Sequence, residues 1–395
     1  MKALIIGCGI GGPVTAMALQ AAGIEAEIHE AYPRGAENVG SFLNLASNGL
    51  AALRVLGVHR QVLASAIPTP RMVMWSGTGK RLGEVANGLR LDDGTVSHTV
   101  LRADLYGALR DEAARRGVPI VYGHRLVSYD DTGDQVVATF EDGTSATGDL
   151  LIACDGVHSR TRSLLDPGAP GPRYSGLYSF GGIVRNTGAG GFSGPGGFSG
   201  PGGFGEPGVY DMVFGKRAFF GCTVTESGDT WWFANLPRRL GDVPADWRPV
   251  LAAAFEGDAN PSADLVRHGP VGPALPVYDL PPVPVWHRGR VLLTGDAAHA
   301  TSPSSGQGAS LAVEDAVVLA RCLREAKDHR TAFERFEAER RPRVERVVAY
   351  SRTISNSKAA GPVGRVLRDL MLPMFLKRSA SQESLAWMYR HQVGL

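Results

Sequence analysis

Cysteine is scarce in this 395-residue sequence, which contains Cys8, Cys154, Cys222 and Cys322. No Cys-x-x-Cys pair occurs, and each cysteine lies in or beside an apolar run. The pattern indicates buried free thiols in a reducing compartment. It argues against a disulfide framework and against a metal site, so we expect no bound metal.

Long hydrophobic segments and clustered charges are also absent. No segment reaches the roughly 18 apolar residues of a membrane-spanning helix. The N-terminal apolar stretch is cut by Gly7, so it predicts a buried strand and not a signal peptide. Lysine and arginine are scattered and the formal net charge is +2, which favours neither nucleic acid nor an acidic membrane surface as a partner. We expect a cytoplasmic protein without integral membrane association, as a monomer or homodimer that acts on a small molecule.

What the sequence does contain is enough length for two domains, or for one domain with a large insertion. Residues 1–30 read as strand, glycine turn, helix and strand, which is a βαβ unit. Residues 119–152 resemble a β-meander that ends in the apolar strand 150–153. From about residue 166 to about residue 285, glycine, proline and aromatic residues are frequent, and the alternation predicts a largely antiparallel sheet.

A short repeat interrupts this second region. The residues F-S-G-P-G-G occur twice and are followed by F-G-E-P-G, over residues 192–208. The repeat predicts either a flexible lid over a substrate or an expansion tolerated in a surface loop, and its composition favours the loop.

Gly7, Gly9 and Gly12 occupy the positions of a G-x-G-x-x-G motif between the first strand and the first helix. The first glycine permits the tight turn, the second lets the backbone approach a pyrophosphate, and the third lets the helix pack close to the strand. Glu30 follows Gly12 by 18 residues (30 − 12) at a strand end, where a carboxylate accepts hydrogen bonds from ribose hydroxyls. Together these features predict a dinucleotide site, without distinguishing NAD from FAD.

Two later apolar strands each end in a turn that carries an acid and glycine. Residues 155–162 read D-G-V-H-S-R-T-R, and residues 295–308 read G-D-A-A-H-A-T-S-P-S-S-G-Q-G. With the three motifs in this order, the sequence resembles the single-component (group A) FAD-dependent aromatic hydroxylases, which have the p-hydroxybenzoate hydroxylase fold. The resemblance covers nearly the whole chain and implies FAD as the cofactor.

The resemblance also implies roles for individual residues. Asp296 binds ribityl or ribose hydroxyls, the loop at 303–308 lies beside the isoalloxazine ring, and Arg102 lies on the FAD side. A glycine-rich loop before a helix directs backbone donors at the flavin edge that becomes negative on reduction. The cofactor-binding residues so implied are Gly7, Gly9, Gly12, Glu30, Arg102, Asp155, Gly295, Asp296, Pro303, Gly306, Gln307 and Gly308, and those linked to NAD(P)H are Asp155, Gly156 and Arg162.

Two positions near the flavin depart from the family pattern. Phe42 stands where the family often has a small residue, and Ser47 where it often has a proline. We expect Phe42, with Pro303, near the flavin, where the phenylalanine crowds the ring or stacks near substrate. His299 is expected to be structural, as a partner for the loop backbone, and not a general base.

The resulting prediction is an α/β (α+β) fold, with a Rossmann-like FAD-binding domain, an inserted antiparallel substrate domain and C-terminal helices. The FAD-binding domain is discontinuous and comprises residues 1–70, 95–168 and 286–350. Residues 71–94 and 169–285 form the substrate-binding sheet, and residues 351–395 form a C-terminal helical segment. These boundaries follow the composition changes and the motifs.

Candidates for an apolar substrate pocket lie in the predicted sheet, and ordinary sheet core is the alternative for each of them. Alternation puts Tyr210, Met212 and Phe214 on one face of the sheet. Arg185 is a weak candidate for binding a substrate carboxylate. The apolar candidates are Tyr210, Met212, Phe214, Phe220 and Phe233.

The function implied by the resemblance is that of a monooxygenase. It uses NADH or NADPH and O2 to hydroxylate or epoxidise a small aromatic or polyketide-like substrate through a C4a-hydroperoxyflavin. The flavin performs the chemistry, so no residue is assigned as certainly catalytic. An FAD-dependent oxidase, a non-oxygenating flavoprotein of the same fold and a non-catalytic flavin-binding subunit remain alternatives. A simple NAD-dependent dehydrogenase would leave residues 295–308 unexplained, and the W-x-W-x-I-P segment of a flavin halogenase is absent.

Overall fold

The computed structural model describes residues 1–33, 42–185, 205–358, 362–379 and 385–395. Residues 192–204 of the repeat therefore lie outside the described residues. Within the described ranges the strands are β1 (Lys2–Ile6), β2 (Glu25–Glu30), β3 (Phe42–Leu45), β4 (Ile67–Pro68), β5 (Arg71–Ser76), β6 (Arg81–Ala86), β7 (His98–Leu101), β8 (Ile120–Tyr122), β9 (Leu126–Asp131), β10 (Val136–Phe140), β11 (Ser145–Gly148), β12 (Leu150–Ala153), β13 (Arg173–Val184), β14 (Val209–Phe214), β15 (Phe219–Val224), β16 (Thr230–Pro237), β17 (Leu275–Asp279), β18 (His287–Arg288) and β19 (Val291–Leu293).

The helices connect these strands and follow them. In the same ranges they are α1 (Gly11–Ala21), α2 (Ser47–Val55), α3 (His59–Leu63), α4 (Arg102–Arg115), α5 (Arg160–Leu165), α6 (Trp247–Phe255), α7 (Ser262–His268), α8 (Asp296–His299), the 3₁₀ turn Pro303–Ser305, α9 (Gly308–Glu325), α10 (His329–Lys358), α11 (Pro362–Ser379) and α12 (Ala386–Tyr389). None of the helices in the described part of the chain is both long enough and apolar enough to cross a bilayer.

A six-stranded sheet in the order β18-β19-β12-β1-β2-β8 forms the centre of the first half of the molecule. The pairs β1–β2, β1–β12, β12–β19 and β2–β8 are parallel. From residue 3 to residue 6, strand β1 is a continuous apolar run, as expected where both faces of a strand are covered. The βαβ unit predicted for residues 1–30 is confirmed.

The meander predicted for residues 119–152 is only partly present. Strands β9, β10 and β11 form a separate three-stranded antiparallel sheet, whereas β8 and β12 belong to the parallel sheet. The prediction of one continuous meander was wrong because alternation along a strand does not specify a partner that is distant in sequence.

A seven-stranded sheet in the order β17-β13-β16-β15-β14-β5-β6 forms the second half. It is largely antiparallel, as predicted, and β5 joins it through a parallel pairing with β14. One face packs on α6 and α7, where Phe220, Trp232 and Phe255 are fully buried. The α/β fold class is confirmed, while the domain boundaries stay a prediction.

The imidazole of His29 lies in a buried ring cluster near the end of β2. Its ring stacks on Phe140 at 4.6 Å and on His124 at 5.3 Å between centroids. Only 1% of the His29 side chain is exposed, and burial lowers its pKa to about 4. An unfolded histidine binds a proton below its ordinary pKa of about 6.5. Stability should therefore be lost as the pH falls from about 6.5 towards 4.

Replacing His29 by glutamine should remove this part of the acid sensitivity. From neutral pH to about pH 4.5, the wild type should lose about 2 kcal/mol more unfolding free energy than His29→Gln. Urea denaturation across this range measures the difference. The exposed His268 provides the control, and His268→Gln should behave like the wild type. Equal pH dependence in wild type and His29→Gln would contradict the assignment.

Candidate active site

The glycine loop after β1 is closed too tightly for side chains at two of its glycines. Gly7 has φ +100°, and a Cβ there would lie 2.6 Å from the carbonyl oxygen of Cys154. A Cβ on Gly12 would lie 2.0 Å from the carbonyl oxygen of Gly7. At Gly9 a Cβ would make only ordinary contact with Tyr106, at 3.6 Å. The turn can thus bring its backbone close to a ligand while α1 packs on β1.

The carboxylate of Glu30 is held beside this loop at the end of β2. It accepts hydrogen bonds from the backbone N–H of Cys8 at 2.7 Å and of Tyr32 at 3.0 Å. Glu30 is half-buried. Since an ionised carboxylate has about four acceptor positions, it can also accept from a hydroxyl pair.

The acid of the second motif is engaged within the protein. Asp155 accepts from the Ser159 hydroxyl at 2.6 Å and from the N–H of Thr161 at 2.9 Å, and so holds the start of α5. Arg162 is 3% exposed and donates to the carbonyls of Val157 and Ala297. These bonds join the turn at 155–162 to α8. Gly156, at φ +78°, makes that turn.

Asp296 and Arg102 have polar groups free to meet a ligand. The Asp296 side chain has accessible surface. The protein atoms around its carboxylate still displace bulk water, and this desolvation raises its pKa. Arg102 donates to the Tyr106 hydroxyl at 3.1 Å, and its buried Nε has no partner among the described residues. An accessible carboxylate and an unpaired buried donor fit a ligand with hydroxyls and anionic oxygens.

A buried ionic network holds the third motif. Asp315 accepts from the N–H of Gly295 at 2.9 Å, lies 2.6 Å from His299 Nε2, and accepts from Arg340 Nε at 2.7 Å. Arg340 also pairs with Glu314 at 2.8 Å, and all three charged side chains are at most 1% exposed. Burial alone would raise the pKa of Asp315, but His299 and Arg340 outweigh burial and lower it to about 2.

The geometry favours a structural role for His299, with a partner different from the one expected. Among the described residues the imidazole pairs with the Asp315 carboxylate, and Asp315 in turn holds the Gly295 N–H. Sequence reasoning missed Asp315 and Arg340. The sequence did carry a signal for the two acids, because Glu314 and Asp315 interrupt the apolar pattern of α9.

The loop between α8 and α9 is fixed from two sides. At Gly306, with φ +63°, a Cβ would lie 3.0 Å from the Asn44 side chain of β3. Gln307 is buried and accepts from Asn48 Nδ2 at 3.0 Å. On the other side, the Ser355 hydroxyl of α10 lies 2.7 Å from that of Ser302. The loop that begins at Pro303 and ends where Gly308 opens α9 is thus held in one conformation, with the N-terminus of α9 behind it.

Residues 1–186 and 283–351 match the family described as FAD binding domain. The chain belongs to this FAD-binding-domain family. It is similar to the FAD-dependent urate hydroxylase of Klebsiella pneumoniae, with 31% identity over 358 residues and 89% of each chain covered. It is also similar to the aurachin C monooxygenase/isomerase of Stigmatella aurantiaca, with 31% identity over 355 residues, 89% of this chain and 88% of that protein.

A solved structure is similar to this chain over almost its whole length. Klebsiella pneumoniae HpxO complexed with FAD and uric acid has a TM-score of 0.84 and 27% identity, over 98% of this chain and 97% of that chain. The predicted resemblance to FAD-dependent hydroxylases is confirmed, and FAD is supported as the cofactor.

In this FAD-binding protein, the second face of the seven-stranded sheet is aromatic. Phe42 of β3 packs against it, with its ring centroid 6.4 Å from Tyr210, 5.9 Å from Trp231 and 6.0 Å from Phe233. Met212 pairs across the sheet with Gly221, which pairs with Phe233, so these residues share that face. We call it the aromatic face, which comprises Phe42, Tyr210, Met212, Phe214, Phe219, Trp231 and Phe233.

One predicted substrate contact lies off the aromatic face, and a second is engaged in an ion pair. Phe220 is 0% exposed and lies on the opposite face, against Trp232 and Phe255, so its assignment to the pocket was wrong. The alternation of β15 sends it to the core while Phe219 faces the other way. Arg185 pairs with Asp229 at 2.6 Å, so its guanidinium is engaged there.

Removing the central cation of the buried network should destabilise the protein. Arg340→Met removes the cation shared by the buried Glu314 and Asp315, and leaves Arg343 beside Glu314 and His299 beside Asp315. This loss should cost about 3 kcal/mol of unfolding free energy, the low end expected for breaking a buried ion pair. Arg335, an exposed residue of the same helix, gives the matched control Arg335→Met. Chemical denaturation at neutral pH measures both. Equal stability of the two variants would show that the network does not hold the fold.

Proposed function

We propose that the protein is an NAD(P)H-dependent FAD monooxygenase that hydroxylates or epoxidises a small aromatic or polyketide-like molecule. One observation carries the proposal. Strand β3 contacts the loop at Gly306 through Asn44 and packs on the aromatic face through Phe42. A flavin ring beside that loop would therefore have the aromatic face as its neighbour.

The proposed FAD site uses the residues whose geometry fits the cofactor. Gly7, Gly9 and Gly12 would admit the pyrophosphate, and Glu30 the ribose hydroxyls. Asp296, beside Gly295, would accept from hydroxyls, and Arg102 would donate from its unpaired Nε. The loop Pro303, Gly306, Gln307 and Gly308 would lie beside the isoalloxazine ring. Asp155, Gly156 and Arg162 position these turns, and their contact with NADH or NADPH is a further part of the proposal.

When bound, FAD supplies the redox chemistry, taking a hydride from NADH or NADPH and activating O2. The chain's own residues bind and orient. The N–H groups at the start of α9 provide a positive end beside the loop. The aromatic face would hold a planar substrate and exclude water from the reacting atoms.

The proposed substrate class follows the lining and the relatives. Partly accessible aromatic and thioether side chains favour a flat, largely apolar ring. The relatives' names include urate hydroxylase and 6-hydroxynicotinate 3-monooxygenase, both of which name heteroaromatic rings. A small aromatic ring is the first candidate, and a polyketide-like ring system the second.

An FAD-dependent oxidase or a non-oxygenating flavoprotein would use the same cofactor residues. These alternatives predict different products from O2. An oxidase converts O2 to peroxide without placing oxygen in the product, and a non-catalytic subunit oxidises no NAD(P)H at all.

Turnover with isotopically labelled O2 separates them. We expect a compound from a panel of phenols and fused-ring aromatics to accelerate NADH or NADPH oxidation and to gain one labelled oxygen atom. Oxygen uptake, peroxide and product mass are measured together. Peroxide alone across the panel, without label in any product, would favour the oxidase.

A variant of the aromatic face makes this test specific. Phe233→Ala removes a ring that would contact substrate, so KM should rise about tenfold or more, from about 1.5 kcal/mol or more of lost burial. A loosely held substrate should also increase the peroxide formed per NAD(P)H. Leu240→Ala, at a residue 53% exposed, is the control and should change neither quantity. An unaltered KM in Phe233→Ala would contradict the assigned face.

A further inference from the structure

One face of α10 reaches both the loop at 303–308 and the aromatic face. Ser351, Ser355 and Lys358 follow each other at helical spacing, so they project from the same side of the helix. The Ser351 hydroxyl accepts from the N–H of Ser305 at 3.2 Å, and Ser355 lies 2.8 Å from the hydroxyl of Ser304. Lys358 is therefore the next residue on the side of α10 that holds the loop.

The ammonium of Lys358 lies over the aromatic face. Its Nζ is 4.4 Å from the ring centroid of Phe219 and 5.9 Å from that of Phe233, and it donates to Asn235 Oδ1 at 3.2 Å. In the part of the chain that the structure describes, no carboxylate lies within ion-pair distance of this group. Two aromatic rings and one amide oxygen are thus the neighbours of this amine.

This environment is unfavourable for a lysine without a ligand. Burial lowers the pKa of Lys358 to about 7, because the protein around the amine replaces water. Lysine is rarely buried without an anion, since desolvating the charge costs free energy that a paired anion returns. The side chain nevertheless stays partly accessible, so an anionic group on a ring held against the aromatic face would lie within its reach.

We propose that Lys358 contacts the substrate and determines specificity by pairing with an anionic oxygen, such as a phenolate, enolate or carboxylate, on the ring that the aromatic face holds. The inference rests on the proposed function, since it adds a residue to the aromatic face that is proposed to hold the substrate. It provides the charged substrate contact that Arg185, paired with Asp229, does not offer.

The proposal is tested by binding of two matched probes, 4-nitrophenol and 4-nitroanisole. They share the ring and nitro group, but only the phenol ionises, and the colour of its phenolate reports the bound form. Wild-type protein should bind 4-nitrophenol at least about tenfold more tightly than the ether, as expected for a charge-assisted contact of about 1.5 kcal/mol or more. It should also shift the bound phenol towards phenolate near neutral pH.

Three variants locate the effect. Lys358→Met should lose the preference and the phenolate shift while keeping its affinity for 4-nitroanisole. Lys358→Arg keeps the charge and should retain a preference for the phenol. Lys327→Met, at an exposed lysine, is the control and should match the wild type. FAD content and thermal stability of each variant show whether the fold is intact.

The outcomes separate this inference from the proposed function. A wild type without preference for the phenol, or a folded Lys358→Met that keeps the preference, would overturn the role of Lys358. Because phenolate colour is read without turnover, neither result depends on oxygen chemistry. A protein that binds the phenolate through Lys358 and yet inserts no labelled oxygen would support the inference and contradict the monooxygenase.

Discussion

The site depends on the contacts made by one buried carboxylate, that of Asp315. It holds the N–H of Gly295, the imidazole of His299 and the guanidinium of Arg340 in one place. Through these bonds the turn after β19, the start of α8, and helices α9 and α10 share one anchor. Because the group is buried, each partner is needed to offset the cost of desolvating the charge. The loop that follows, at residues 303–308, is then positioned by its contacts with β3, α2 and α10.

Two elements, strand β3 and helix α10, contact both the loop at 303–308 and the aromatic face. Strand β3 touches the loop with Asn44 and the aromatic face with Phe42, and helix α10 does the same with Ser355 and Lys358. Each element therefore sets the distance between the loop and the aromatic face. Under the proposed function, a flat ring between the loop and the aromatic face would be oriented by this arrangement, without a residue that performs covalent chemistry.

Local rules predicted part of this arrangement. The glycines could be identified from sequence because a backbone clash at Gly7 or Gly12 depends on a short segment and a fixed spacing. The division of residues 119–152 between two sheets could not, because it depends on partners distant in sequence. Phe220 was assigned to the wrong face since alternation gives two faces without saying which one is the core. Lys358 and Arg340 belong to no sequence motif, and their contacts follow from the packing of α10.

The most direct test of the account is the FAD content of the purified chain and of Gly12→Ala. A Cβ at Gly12 would meet the carbonyl oxygen of Gly7 at 2.0 Å, so the variant should lose the cradle for the pyrophosphate. We predict one FAD per chain in the wild type, by visible absorbance after reconstitution, and a large loss of FAD affinity in folded Gly12→Ala. A colourless wild type that cannot be reconstituted, or a Gly12→Ala protein with unchanged FAD affinity, would contradict FAD binding at the glycine loop.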